Sequence, residues 1–275
     1  MAKIPLEDNF TDIIGKAQRG LKLSDDQLSQ RAGVSVSDLQ KVKAGEVNEP
    51  ILRKIAPALG LGADALVENA RKAWYPSAQD LPGLAQFNTP YEDMTVNAYL
   101  AWDEQTKQAV AFDTGADAGP MLQMARARGV RITSVLLTHT HPDHIAELAR
   151  LRKETGAPAF VSQLEPASGA ETFAEGKTFS VGSLKIETRK TSGHSAGGIT
   201  YVISGLKQPV AVVGDSLFAG SMGGGGVSYT DALENNRKKI LTLPGETVIC
   251  PGHGPLSTVA EEKQHNPFFP EFRNK

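Results

Sequence analysis

Residues 134–145 read Ser134-Val-Leu-Leu-Thr138-His139-Thr-His141-Pro142-Asp143-His144-Ile145. Ser-Val-Leu-Leu is the apolar run of a buried strand, and the histidines follow where that strand should end. In extended backbone the side chains alternate, so His139 and His141 fall on the same side. Pro142 then forces a bend, and Asp143 and His144 open a helix whose N-terminal dipole suits a carboxylate. Three imidazoles and one carboxylate within six residues are costly in a core and natural around a metal.

Two further histidines sit in glycine-flanked loops beside β-type runs: His194 in Thr191-Ser-Gly-His194-Ser-Ala-Gly-Gly198, and His253 in Pro251-Gly-His253-Gly-Pro255. Asp215 ends another apolar run in Val-Val-Gly-Asp215-Ser. His139, His141, Asp143, His144, His194, Asp215 and His253 are therefore seven candidate ligands in strand-end loops. Any one of these histidines alone reads as an ordinary polar residue; five of the six in such contexts do not. His265, in Lys-Gln-His-Asn-Pro, is the one that reads as a plain surface or packing residue.

The rest of the chain divides into two textures. The first part has helical spacing, and the pattern predicts helices over 9–19, 25–32, 36–44, 51–59 and 63–70. Ser24-Asp-Asp-Gln27 reads as a capping box for the second of these. A stretch broken by proline and glycine follows, and beyond it strands are predicted over 95–102, 109–112, 132–137, 184–189, 199–203, 210–213 and 247–250. Helices over 118–127, 144–155 and 231–241 lie among them. The expected organisation is an all-α unit over 1–75, a linker over 76–87 and an α/β domain over 88–275.

The 275 residues carry a net charge of −2 and a single cysteine, Cys250. One cysteine excludes an intrachain disulfide and a thiolate metal cluster. The overall charge gives no polyanion-binding signal. The apolar runs fall far short of the roughly 18 residues that cross a bilayer. Met1-Ala-Lys-Ile-Pro-Leu-Glu-Asp8 lacks the apolar stretch of a secretory signal. A cytoplasmic protein without a membrane partner is expected.

The pattern resembles the metallo-β-lactamase fold superfamily and, within it, the glyoxalase II-like hydrolases. The resemblance is carried by Thr138-His-Thr-His-Pro-Asp-His144, His194, Gly214-Asp-Ser-Leu-Phe-Ala-Gly-Ser221 and Pro251-Gly-His-Gly-Pro255, and extended by Asn97-Ala-Tyr-Leu100, Phe112-Asp-Thr-Gly115 and Asn266-Pro-Phe268. It covers about residues 88–270 and implies an αββα sandwich with metals at one edge of two facing sheets. It also implies two divalent metal ions, with His139, His141 and His194 on the first, Asp143, His144 and His253 on the second, and Asp215 bridging. Imidazole and carboxylate ligands without thiolate fit zinc, with iron or manganese as alternatives. Two cations about 3.5–4 Å apart would acidify a bridging water, giving a hydroxide nucleophile, and would polarise a substrate oxygen. Asp143 is then the catalytic residue, orienting that hydroxide or taking its proton. Asp113 resembles the carboxylate that steadies the histidine loop, although Asp-Thr-Gly also reads as a simple turn.

Other readings of the same residues are weaker. Gly214-Asp-Ser216-Leu spells a serine-hydrolase signature, but it stands late in the chain, and Cys250 rather than an aspartate precedes His253 by three. Asp113-Thr-Gly has no second copy to make a carboxylate dyad. Gly223–Gly226 lacks the Lys-Ser/Thr of a phosphate loop. The resemblance therefore implies hydrolysis of a thioester or other ester of a small-molecule substrate. The related persulfide dioxygenases, which use one iron held by two His and one Asp, are an alternative. Ala146 in place of a glycine, Gly223-Gly224 in place of Gly-Arg, and 22 residues after His253 leave glutathione unfixed as the carrier. Arg237, Lys238 and Lys239 are candidates for an acidic substrate, with a solvated helix face as the plainer reading.

Residues 23–45 carry a resemblance, covering about residues 10–70, to a phage-repressor (Xre)-type helix-turn-helix turning at Gly33. This gives a third reading, a DNA-binding regulator with a metal-binding sensor domain. Charge opposes it: residues 1–75 hold 11 Lys/Arg and 10 Asp/Glu, a net of +1. A DNA reader normally presents a basic face. Homodimerisation, or shaping of the active-site entrance, is the other role expected of these helices.

Overall fold

The computed structural model describes residues 3–77 and 79–273. Five helices come first: α1 (Phe10–Gly20), α2 (Asp25–Ala32), α3 (Val36–Lys43), α4 (Glu49–Ala58) and α5 (Ala63–Ala70). The Ser24 hydroxyl accepts from the Gln27 backbone at 3.2 Å while the Gln27 side chain accepts from the Ser24 backbone at 2.9 Å, which closes the predicted capping box. Gly33 ends α2 in the left-handed region, φ +62°.

The strands form two six-stranded sheets, each from consecutive chain. The first runs β1 (Leu84–Tyr91), β2 (Met94–Trp102), β3 (Gln108–Phe112), β4 (Arg131–Leu136), β5 (Ala159–Ser162) and β6 (Ala170–Phe173). The second runs β7 (Thr178–Val181), β8 (Leu184–Lys190), β9 (Ile199–Ser204), β10 (Val210–Gly214), β11 (Val248–Pro251) and β12 (Ser257–Thr258). Helix α6 (Gly119–Arg128) joins β3 to β4, and α7 (Pro142–Ile145) with α8 (Leu148–Thr155) joins β4 to β5. Helix α9 (Tyr229–Asn235), continued by a π-helical turn over Asn236–Ile240, joins β10 to β11, and α10 (Val259–His265) follows β12.

Strand alternation assigns each side chain to a layer. Tyr99, Val110, Phe112, Leu136, Tyr201, Val210, Val212 and Cys250 face inward and form the core between the sheets. Their neighbours Leu100, Ala109, Ala111, Val135 and Leu137 point out of the first sheet and pack under Met121, Leu122, Leu148 and Leu151 of α6 and α8. On the second sheet the outward residues are Ala211, Val213 and Ile249, and they belong to the same buried cluster as Ile13, Leu28, Leu39, Leu52 and Leu66 of α1–α5. The N-terminal helices therefore share their apolar core with the second sheet.

Some elements differ from expectation for local reasons. The helix predicted over 144–155 is broken between α7 and α8. Thr114 takes the backbone groups at the break: its N–H and hydroxyl donate to the His144 carbonyl (2.9 and 3.0 Å), and its Oγ1 accepts from the Glu147 N–H (3.1 Å). β1 begins at Leu84, so its first four residues lie in the stretch expected as linker. Strands β1, β5, β6, β7 and β12 are not predicted; the last four have four residues or fewer, too short to display an alternation, while β1 carries Gln86, Asn88, Thr89 and Pro90, which break the apolar pattern of a strand. Among the described residues no helix is long and apolar enough to cross a membrane.

A candidate metal centre at the edge of two sheets

β3 and β4 are parallel in one sheet, and β10 and β11 are parallel in the other. Their C-terminal ends therefore emerge as pairs and deliver their loops together. Asp113 follows β3, the histidine stretch follows β4, Asp215 follows β10 and His253 follows β11; His194 comes from the loop between β8 and β9. All seven candidate ligands converge. His141 Nδ1 lies 3.1 Å from His139 Nε2 and 3.0 Å from His194 Nε2, and Asp215 Oδ2 is 3.3 Å from His194 Nε2. On the other side His253 Nε2 lies 3.3 Å from Asp143 Oδ2 and 3.4 Å from Asp215 Oδ2, while His144 Nε2 lies 3.3 Å from Asp215 Oδ1. The atoms form two groups, His139, His141, His194 and Asp215, and Asp143, His144 and His253.

The surroundings fix which ring nitrogens face inward. His144 Nδ1 donates to Asp113 Oδ2 (2.9 Å), His253 Nδ1 to the Thr95 carbonyl (2.7 Å) and His194 Nδ1 to the Gly224 carbonyl (3.1 Å). The Thr138 hydroxyl donates to Asp113 Oδ2 (2.7 Å), so it accepts from His139 Nδ1 (3.0 Å). With Nδ1 protonated in four rings, four Nε2 atoms are left to bring lone pairs to the centre. Asp113 also accepts the Thr138 backbone N–H at 2.7 Å, and it holds φ +54°, a strained value for a non-glycine. That conformation turns one carboxylate onto both the loop and His144.

The donor set fits a metal. His144 Nε2 and Asp215 Oδ1 are buried without a hydrogen-bond partner, a costly state that a cation between them would relieve. Burial opposes charge on Asp215, yet the neighbouring His144 and His253 hold its carboxyl well below the ordinary range. Burial likewise opposes charge on His144 and His253, but Asp215, helped by Asp113 and Asp143 respectively, pushes them up to about 10 and about 11. Burial wins at His139 and His194, whose imidazoles are held below their usual value. The carboxylates thus draw protons onto two rings, and a cation would take the place of those protons.

The profile of the metallo-beta-lactamase superfamily matches residues 91–253. The chain belongs to that superfamily. It is 30% identical over 212 residues to the probable metallo-hydrolase YqgX of Bacillus subtilis, covering 66% of this chain and 96% of that one. It is 33% identical over 161 residues to a hydroxyacylglutathione hydrolase of Cereibacter sphaeroides, covering 57% of this chain and 61% of the relative. With the human mitochondrial persulfide dioxygenase ETHE1 it shares 31% over 183 residues, 62% of this chain and 69% of that one. Among solved structures, the BLEG-1 B3 metallo-beta-lactamase superposes with a TM-score of 0.60 at 29% identity, over 68% of this chain and 99% of that chain. ETHE1 from Myxococcus xanthus gives 0.61 at 27%, over 68% and 85%.

Within this superfamily member the remaining candidates join neither ligand group. His265 stacks on Trp74, ring centroids 4.7 Å apart, with Nδ1 3.0 Å from Glu68. Ser216 Oγ is engaged by Thr191, bonding to its Oγ1 (2.9 Å) and its carbonyl (3.2 Å), and among the described residues it hydrogen-bonds to no histidine. Arg237, Lys238 and Lys239 pair with Glu271, Glu234 and Glu175. Cys250 packs between the sheets, and burial pushes its thiol up.

Three residues stood inside the resembling motifs without a role assigned to them. Thr138 relays between His139 and Asp113. Asn97 and Tyr99 tie down the His253 loop: Asn97 Nδ2 donates to the carbonyls of Pro251 (2.9 Å) and Gly254 (2.8 Å), and the Tyr99 hydroxyl to that of Pro251 (2.6 Å). At Gly252 the loop passes so close that a Cβ would stand 2.0 Å from Asp215 Oδ1. The glycines around His253 and the Asn97-Ala-Tyr-Leu100 stretch were visible signals; that the two meet between the sheets was not.

Proposed function

We propose that this chain is a dinuclear metal-dependent hydrolase of the glyoxalase II type, acting on a thioester or other ester. The observation that carries the reading is the pair of ligand groups meeting at Asp215, whose two oxygens reach both His194 and His144 (3.3 Å each). The similarity to a hydroxyacylglutathione hydrolase supports the reaction class. A metal pair held by these residues would supply a Lewis acid and would lower the pKa of bound water toward neutrality, so that hydroxide is available at neutral pH.

The protein residues do the rest. Thr138 and Asp113 hold the His139 and His144 rings with Nε2 inward. Asp143 Oδ2, 3.5 Å from His144 Nε2 and 3.3 Å from His253 Nε2, orients water and accepts its proton. His141 and His194 stand on the open side, where substrate enters.

Metal analysis with a substrate screen on the same sample tests this. About two zinc or manganese ions per chain with thioester turnover are expected. His139→Ala or Asp215→Ala should each lower turnover and metal content by more than the roughly 10–100-fold expected of Asp113→Ala, whose loss removes only a support. Full activity in both ligand variants overturns the proposal. The similarity to persulfide dioxygenases gives a second reading, and one iron per chain with oxygen consumed on a persulfide would establish it instead.

A further inference from the structure

A cleft of about 570 Å³ opens at the metal centre. One wall is His141 and His194, another is the loop over 224–227, and the third is the end of α1, with Lys16, Arg19 and Gly20. Among the described residues no acidic side chain lines it. The loop wall offers three glycines and Val227, so the charged groups of the cleft away from the metal ligands all come from α1.

The two cations differ. Lys16 is committed: its Nζ pairs with the Asp8 carboxylate, donates to the Met222 carbonyl at 2.9 Å and is 15% exposed. Asp8 also accepts from Ser221 Oγ at 2.6 Å, which anchors the start of α1 to the loop after β10. Arg19 is exposed, and among the described residues its guanidinium has no hydrogen-bond, ion-pair or ring partner. It lies back along α1 over Gly15, with Nη1 3.0 Å from where a Cβ at 15 would stand. The helix end itself is pinned: a Cβ at Gly20 would come within 2.3 Å of the Tyr229 ring, so only glycine lets α1 dock this closely on α9. A planar fork of donors, unpaired and facing a cleft without acids, suits a carboxylate.

We propose that Arg19 is a specificity-determining residue: it binds a carboxylate at the end of the substrate remote from the metal ligands, so that the centre takes anionic thioesters or esters. This rests on the hydrolase reading and names the substrate class for it. The N-terminal helices thereby complete the substrate site of the metallo-β-lactamase fold.

The test uses the full metal-loaded chain and S-acetyl ω-mercapto acids of two to six carbons, each beside its neutral carboxamide. The wild type should favour at least one acid over its amide in kcat/KM. Arg19→Ala should lower that acid-to-amide ratio by about 10–100-fold, as loss of a charge-assisted bidentate contact does. Arg19→Lys should retain part of it, and Lys41→Ala, which removes an exposed cation elsewhere, should leave it within twofold. A ratio that Arg19→Ala does not change at any chain length overturns the proposal. Should the wild type hydrolyse none of these thioesters, the hydrolase reading fails separately. Calorimetric affinities for the free ω-mercapto acids and amides then decide Arg19: a preference for acid lost in Arg19→Ala supports it, and equal preference in both proteins overturns it.

Discussion

The outer face of the first sheet is covered by α6 and α8, which lie in the chain between the strands they cover. The outer face of the second is covered by α1–α5, which precede every strand, together with residues 217–243 and the segment from Val259 to Phe272. The first cover assembles from neighbours in sequence; the second closes only when both ends of the chain meet over Ala211, Val213 and Ile249. A helical segment that looks like an appended unit in sequence contributes, in the folded chain, to the layer that covers the second sheet.

The largest effect should follow from removing one cover entirely. Deleting residues 1–75 exposes Leu217, Met222, Ile240 and Phe269 along with the outer face of β10 and β11. The remainder should lose its cooperative melt and bind a hydrophobic dye. A folded 76–275 fragment with a sharp transition would break the comparison and make the helices an independent domain.

Point substitutions sharpen it. Leu52 of α4 and Leu151 of α8 are both fully buried, one in each cover. Alanine at either position should cost about 2–5 kcal/mol. Because the covers share strands with the inner core, each variant should still unfold in one transition by calorimetry. Two separated transitions in Leu52→Ala alone would show the N-terminal layer melting by itself.

The smallest expected effect concerns the C-terminal part of the second cover. Glu262 of α10 is fully buried, and burial pushes its carboxyl up to about 7, against the pull of Asn266 and the Gly220 N–H. With the folded value above the unfolded one, its contribution to stability is complete below pH about 4.5 and is lost as pH rises through about 7. Wild-type stability should therefore fall across that window by up to about 3 kcal/mol relative to Glu262→Gln, which keeps a neutral side chain throughout. Parallel stability–pH curves for the two proteins would remove Glu262 from the account.

What the sequence disclosed follows the same division. The residues that converge were legible because the signal is local: His139, His141, Asp143 and His144 lie within six residues, and His194, Asp215 and His253 carry their own glycine contexts. The five N-terminal helices were legible from periodicity and from the Ser24–Gln27 box. Where they dock was not, because Gly20 and Gly62 meet Tyr229 and Pro267 more than 200 positions away, and a 3.6-residue period names a buried face without naming its partner. The break between α7 and α8 and the Thr138 relay likewise depend on Thr114 and Asp113, 25 or more positions from the residues they hold.

Gly252 carries a consequence for redesign. A Cβ there would meet Asp215 Oδ1 at 2.0 Å and His144 Cε1 at 2.7 Å, so the absent methyl group is itself part of the mould that shapes the centre. The wall built by α1 has no such restriction at Arg19, whose side chain is exposed and unpaired. Variation of what this chain accepts has room on that wall, while the interior casting must be inherited intact.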